Sequence, residues 1–174
     1  FLDLSSTKIT SLEGITQDIR RHLFLAHTKI KSLKGIPTEI NGDLYLNNTL
    51  IEDLAYFPSF VAGDINFGST PLKSFKGLPS EVNGSILAYN TLIIDLTGLP
   101  SNIGGHLYLS DTKIFDLKSL PQFIGGYLFL EGISASEIPA GFKIIKGVVI
   151  TESQTELLKS ALKNGYKATV VQQF

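Results

Sequence analysis

The sequence predicts a repeat solenoid, mostly β, with one parallel sheet on one face, irregular or 3₁₀ turns on the other, and a helix-strand cap at its C-terminal end. Three observations carry this expectation. The chain of 174 residues matches itself at a spacing of 21 from Phe1 to about residue 132. Each unit opens on an alternating triplet and later reaches a proline. The pattern breaks at Ile133, and the one convincing helical stretch follows it. A unit this short cannot bury its own apolar residues, so units must stack and share one core.

The triplets are Leu2-Asp3-Leu4, Leu23-Phe24-Leu25, Leu44-Tyr45-Leu46, Ile65-Asn66-Phe67, Ile86-Leu87-Ala88, Leu107-Tyr108-Leu109 and Leu128-Phe129-Leu130. Outer residues of such a triplet point one way and the middle one the other, which is a strand. One short strand per coil stacks into a parallel sheet. Three residues later come Thr7, Thr28, Thr49, Thr70, Thr91 and Thr112. At the bend after a strand these hydroxyls are expected to hydrogen-bond the backbone of neighbouring coils. Apolar residues follow, such as Ile114 and Leu117, and then an apolar-proline pair such as Leu120-Pro121. Proline has no amide to give to a sheet and restricts the residue before it, so this side is expected to be irregular, extended or 3₁₀. Closing glycines, as in Ile103-Gly104-Gly105, suit a tight turn into the next strand. A three-sided parallel β-helix is the other architecture to weigh. It needs two more alternating segments per coil, and the L-P-x-x-I stretch does not alternate.

The unit L-x-L-x-x-T-x-I-x-x-L-x-x-L-P-x-x-I-x-G-x resembles the leucine-rich repeat family, whose core is L-x-x-L-x-L-x-x-N-x-L. Leu107, Leu109, Thr112 and Ile114 fill the last four fixed places, with threonine where the family has asparagine. Leu120-Pro121-Gln122-Phe123-Ile124 is similar to the L-P-x-x-L of the short bacterial subtype, with one residue more per unit. Similar units also occur in uncharacterised bacterial and phage proteins. The resemblance implies a right-handed leucine-rich-repeat solenoid. It implies a scaffold for recognition and no particular chemistry.

Residues 1–132 form six regular units and the start of a seventh, and 133–147 form a degenerate repeat. Residues 148–174 form a cap over the open end of the core. Val148-Val149-Ile150 reads as a strand. Ser153 with Glu156 fits a capping box, Leu157, Leu158, Ala161 and Leu162 form one apolar face, and Asn164-Gly165 stops the helix. A strand follows from Tyr166. The chain holds no methionine and begins at full repeat pattern, so further repeats or an N-terminal cap are expected upstream.

Net charge is −1, which gives no general pull toward nucleic acid. There is no cysteine, so disulfides and thiol metal sites are excluded. No apolar run is long enough to span a membrane, no targeting signal is visible, and the sequence leaves the compartment unknown. Phosphate-loop, zinc-protease, nucleophile-elbow and EF-hand patterns are absent. His22 and His106 share the position before the strand but lie four coils apart, about 19 Å at the strand spacing. His22 and His27 could share a metal only with Asp43 or Asn48, and solvated surface histidines are the better reading. The carboxylates Asp3, Asp43, Asp64, Asp111 and Glu131 are spread along the array, with no enclosed pair for acid–base work. Lys34, Lys76 and Lys118 recur at one loop position, too sparsely for a nucleic-acid stripe. No cofactor is implied and no catalytic residue stands out.

The middle residue of each triplet carries the functional expectation. It points out of the sheet, where folding demands no apolar group, yet the column contains Phe24, Tyr45, Asn66, Leu87, Tyr108 and Phe129, flanked by Tyr89 and Tyr127. Exposed aromatics gathered on one face mark binding surfaces. β-propensity and mutual packing are the competing explanation. The first functional reading is a non-catalytic module that binds a protein partner on this face, within a bacterial effector or phage protein. The second is a structural or adhesive virion or cell-surface component holding glycan. The third is the repeat domain of an enzyme whose catalytic part lies elsewhere. Self-association is a further expectation, through solenoid ends or aromatic faces.

Overall fold

The computed structural model of the chain describes residues 1–172, and the last two positions of the expected cap, 173–174, lie outside the described residues. In chain order the elements are β1 (Leu2–Asp3), β2 (Leu23–Phe24), β3 (Glu39–Ile40), β4 (Leu44–Tyr45), β5 (Phe60–Val61), β6 (Ile65–Asn66), β7 (Glu81–Val82), β8 (Ile86–Leu87), β9 (Asn102–Ile103), β10 (Leu107–Tyr108), β11 (Phe123–Ile124), β12 (Tyr127–Phe129), β13 (Lys143–Ile144), β14 (Gly147–Thr151), α1 (Thr155–Lys163) and β15 (Ala168–Val171). They form a parallel β-solenoid. The front is a nine-stranded sheet in the order β1-β2-β4-β6-β8-β10-β12-β14-β15.

Register follows the repeat. Leu44 pairs with Ile65, Ile65 with Ile86 and Leu107 with Leu128, each 21 residues on. From Leu128 the step shortens to 20, pairing Leu128 with Val148 and Val148 with Ala168. The sheet therefore runs unbroken through 133–147, where the sequence pattern loses its spacing.

The back of the coils carries turns and also short parallel strands, β3 with β5, and β7, β9, β11 and β13 in that order. Where the sequence suggested irregular or 3₁₀ geometry, six coils carry a two-residue strand that pairs with a neighbouring coil, the ladder breaking between β5 and β7, and no 3₁₀ segment occurs among the described residues. The proline leads into this strand and does not lie within it. In each pair the second residue (Ile40, Val61, Val82, Ile103, Ile124) is buried and the first points outward, so two residues suffice for one apolar anchor.

Between the ladders the core is filled by apolar columns. Leu25, Leu46, Phe67, Ala88, Leu109 and Leu130 form one, and Ile30, Ile51, Leu72, Ile93 and Ile114 another, all fully buried. The smallest member of the first column, Ala88, follows the largest, Phe67, so volume is conserved across neighbouring coils. At the next bend Ser11, Ser32, Asp53, Ser74, Asp95 and Asp116 accept the amide two residues on. Lys34 pairs with Glu13 at 2.8 Å and Lys118 with Asp116 at 3.4 Å, both on an exposed face.

The threonines behave differently from the expectation. Thr28, Thr49, Thr70, Thr91 and Thr112 are buried, but each hydroxyl donates to a carbonyl three residues back in its own coil, at 2.7–2.8 Å. The preceding residue explains this. Ser6, His27, Asn48, Ser69, Asn90 and Asp111 all take a left-handed φ of 53–58°. That kink folds the threonine back onto the strand it follows, and the hydroxyl locks the bend.

The closing glycines sit at the bend between back and front strands, as expected, but not because the bend needs a left-handed backbone. Gly84 has no left-handed φ. A Cβ there would sit 2.3 Å from the Gly63 carbonyl oxygen of the preceding coil. These positions are small because backbone stacks on backbone.

At the C-terminal end α1 begins one residue later than the Ser153 capping box implies, with Gln154 as N-cap. The Gln154 side chain instead donates to the carbonyls of Leu130 and Ile133, tying the cap to the preceding coil. Leu157 and Ala161 are buried as expected and Leu158 is half-buried. Leu162 is 58% exposed, so it does not close the core. Ser160 and Asn164 bond back to Ile138, which turns the helix so that Leu162 faces away from the last repeat. Gly165 at φ 81° ends the helix. The amides of Gly165 and Tyr166 bond Leu162 and Ala161, a complete Schellman motif.

Candidate functional site

The front sheet presents three outward columns. The central one reads Asp3, Phe24, Tyr45, Asn66, Leu87, Tyr108, Phe129 and Val149, because each lies between two residues whose side chains enter the core. Beside it run Phe1, His22, Asp43, Asp64, Ser85, His106 and Tyr127. The third column includes Asn47, Gly68, Tyr89, Ser110 and Glu131.

Within this grid the aromatics divide into two patches. Near the N-terminal end the Phe24 and Tyr45 rings lie 5.1 Å apart, with Phe1 edge-on to Phe24 at 6.3 Å. Near the C-terminal end Tyr108 and Phe129 stack at 4.0 Å and 6°, and His106 stacks on Tyr127 at 5.8 Å and 9°. Rings from adjacent strands that stack this closely stand on edge. They hide their faces in one another and present rims and hydroxyls. Lys146 reaches the Tyr127 ring at 5.6 Å.

The stretch between the patches is polar and acidic. Asp43 and Asp64 are half-buried there. Asn66 is 8% exposed and its Oδ1 accepts the Gly68 amide at 2.9 Å, so its side chain is engaged in shaping the strand end. Leu87 stands between the patches and joins neither ring stack. The Tyr89 ring rests over Gly68 of the preceding coil, where any Cβ would collide with it. The eight expected residues thus resolve into Phe24 with Tyr45, Tyr108 with Tyr127 and Phe129, and a middle set of Asn66, Leu87 and Tyr89.

Sequence reasoning missed a hydrogen-bond ladder in the first flanking column. His22 Nδ1 accepts the amide of Asp43, Asp43 that of Asp64, Asp64 that of Ser85, Ser85 that of His106, and His106 Nδ1 that of Tyr127, all at 2.6–3.1 Å. Each side chain accepts from the same position one coil on. The residue types His, Asp, Asp, Ser and His share no charge or size, only a short-range acceptor, which is the signal that was available. His22 and His106 are therefore half-buried members of this ladder, not solvated surface groups. His22 Nδ1 also lies 3.0 Å from Asp43 Oδ2. His27 is exposed in a left-handed turn.

Burial, then the charges of Asp43 and Asp64, push the Tyr45 hydroxyl pKa up. Burial likewise raises that of Tyr108, helped by Asp64 and Glu131. Both phenols are neutral donors at neutral pH. Burial lowers the His106 pKa, Lys146 lowers it further and Asp64 opposes them.

Among the described residues no group of three or more His, Cys, Asp and Glu is placed to hold a metal ion, and no helix is long and apolar enough to cross a membrane. Comparison with known protein families, curated proteins and solved structures finds no match.

Proposed function

We propose that this solenoid is a recognition module that binds a protein partner through its front sheet. The observation that supports it most is the pairing of two outward aromatic patches across an acidic, hydrogen-bonding band. The rings of the C-terminal patch stack and stand on edge. A sugar packs against an open ring face, whereas a protein side chain can pack among rims and hydroxyls. Two patches three coils apart, about 14 Å by the strand spacing, suit a partner that spans several coils. The chemistry sought in the partner is apolar contact at two points with a hydrogen-bond donor or cation between them, opposite Asp43 and Asp64.

The test is affinity capture with the wild-type chain and with Tyr108→Ser/Phe129→Ser, using Phe115→Ser on another face as the control. The expected outcome is a partner retained by wild type and by the control but lost by the front-sheet double variant. Equal retention by all three would remove the front sheet from the function. Binding on a glycan array, with no protein captured, would favour the adhesive role instead.

A further inference from the structure

The last strand of the front sheet, β15, has a neighbour on one side only. Its pairing with β14 uses the Lys167 carbonyl, which accepts the Val148 amide at 2.8 Å, and the Val171 carbonyl, which accepts the Glu152 amide at 3.3 Å. In a parallel ladder alternate residues turn their polar backbone groups to the same neighbour. Thr169 therefore also faces β14, while the amides and carbonyls of Ala168 and Val170 face the open side. Among the described residues β15 pairs with β14 alone, so those four groups have no strand partner. Natural edge strands are guarded by charge, proline or a bulge. Ala168-Thr169-Val170-Val171 has none of these.

The side chains at this end are also short of a cover. Val170 pairs with Ile150, which is fully buried in the core column, yet Val170 itself remains 44% exposed. On α1, Ser160 and Asn164 point back to Ile138 and Leu157 and Ala161 point into the core. At 100° per residue Leu158 and Leu162 must then face the same free end as β15. The end of the solenoid thus shows an unpaired strand above an apolar row.

We propose that β15 is the two-fold contact of a homodimer, pairing antiparallel with β15 of a second copy about Thr169. The register is dictated by the free groups. With Thr169 opposite its mate, Ala168 stands opposite Val170 of the other copy. In an antiparallel pair these become the hydrogen-bonded positions, which exchange both amide–carbonyl bonds. The two-fold makes four such bonds and satisfies all four free groups of each edge. Thr169 and its mate form the non-bonded pair, as their amides require. The front sheets continue on the same side, and the two Phe129 patches stand five strand spacings apart, about 24 Å. Such a dimer presents the same recognition surface twice.

The chain has no cysteine, so one thiol can report the register. Thr169→Cys places two thiols across a non-hydrogen-bonded pair, with Cα atoms about 4.5 Å apart, within disulfide reach. Mild oxidation is expected to convert the 19.0 kDa chain to a covalent dimer of twice that mass. Lys167→Cys, about 13 Å from its mate in this register, is expected to stay monomeric on a non-reducing gel. Val170→Pro removes an amide that faces away from β14, a place where an edge strand accepts proline. It is expected to weaken the dimer more than tenfold in sedimentation while leaving the melting temperature of the monomer within a few degrees. A wild-type chain that sediments as a monomer at about 100 μM would overturn the proposal. So would a dimer that survives Val170→Pro but dissociates on Tyr108→Ser, or equal cross-linking of both cysteine variants.

Discussion

Replacing Thr70 with valine removes one hydroxyl from a buried bend and little else. The Phe67 carbonyl loses the Oγ1 bond at 2.7 Å but keeps a longer one from the Thr70 amide at 3.2 Å. The expected cost is therefore modest, about 1 kcal/mol, and Thr70→Ser should recover it. Chemical denaturation of the three proteins decides this; identical midpoints would mean the hydroxyl is dispensable. His106 gives a second prediction, in pH. Its imidazole must be neutral to accept the Tyr127 amide, and burial, then Lys146, hold its pKa below the ordinary value. The unfolded chain then binds the proton more readily than the folded one. Stability from this group is complete above the ordinary histidine range, about 6.5, and is lost as the pH falls from there through the lower folded value. His106→Asn keeps an acceptor without a titrating group and should flatten the melting temperature between pH 7 and 5. The threonine column could be read because one residue type recurs. The His-Asp-Asp-Ser-His column could not, because its members share hydrogen-bonding capacity and nothing visible in a hydropathy pattern.

Each coil depends on close backbone contact at its closing glycine and on a single apolar anchor per short strand. Gly84→Ala puts a methyl within 2.3 Å of the Gly63 carbonyl, where only backbone could move. The expected destabilisation is about 1–3 kcal/mol, of the size seen for overpacking. Thermal melts of this variant check it directly. The cap offers a contrast within one helix. Leu157→Ala empties a fully buried position and should cost about 2–5 kcal/mol. Leu162→Ala, on the exposed face, should change monomer stability by no more than about 0.5 kcal/mol. Equal effects would mean that the helix is not seated through Leu157. At this scale the front strands were legible because their apolar residues alternate with period two. The back strands were not, since a two-residue segment has no period to detect and a nearby proline argues against it. The helix was legible in extent, but its rotation is set by Ser160 and Asn164 reaching Ile138, a contact no local pattern announces.

The whole molecule behaves as a stack in which each coil touches only its neighbours, so its length should be adjustable by one unit. Deleting residues 85–105 removes 21 residues in phase and joins Gly84 to His106. His106 then takes the place of Ser85, and its amide meets the Asp64 carboxylate that now accepts from Ser85. Leu107 and Leu109 take the places of Ile86 and Ala88, so the core columns remain filled, with Leu109 crowding Phe67 where Ala88 left room. The shortened chain is expected to keep the circular dichroism spectrum of the parent and one cooperative transition, at a lower temperature because one interface is gone. Deleting residues 85–94 instead breaks the phase, turns core residues outward and should abolish the transition. The same pair of proteins probes recognition. In-phase deletion brings Tyr45 and Tyr108 from three coil spacings to two, from about 14 Å to about 10 Å. A partner that bridges both aromatic patches should lose most of its affinity although every patch residue is present and folded. Tyr89→Ala in the undeleted chain separates this effect from the loss of the Tyr89 ring itself. A partner bound equally well by the shortened chain would use one patch alone, with or without Asp43 and Asp64, which the deletion retains.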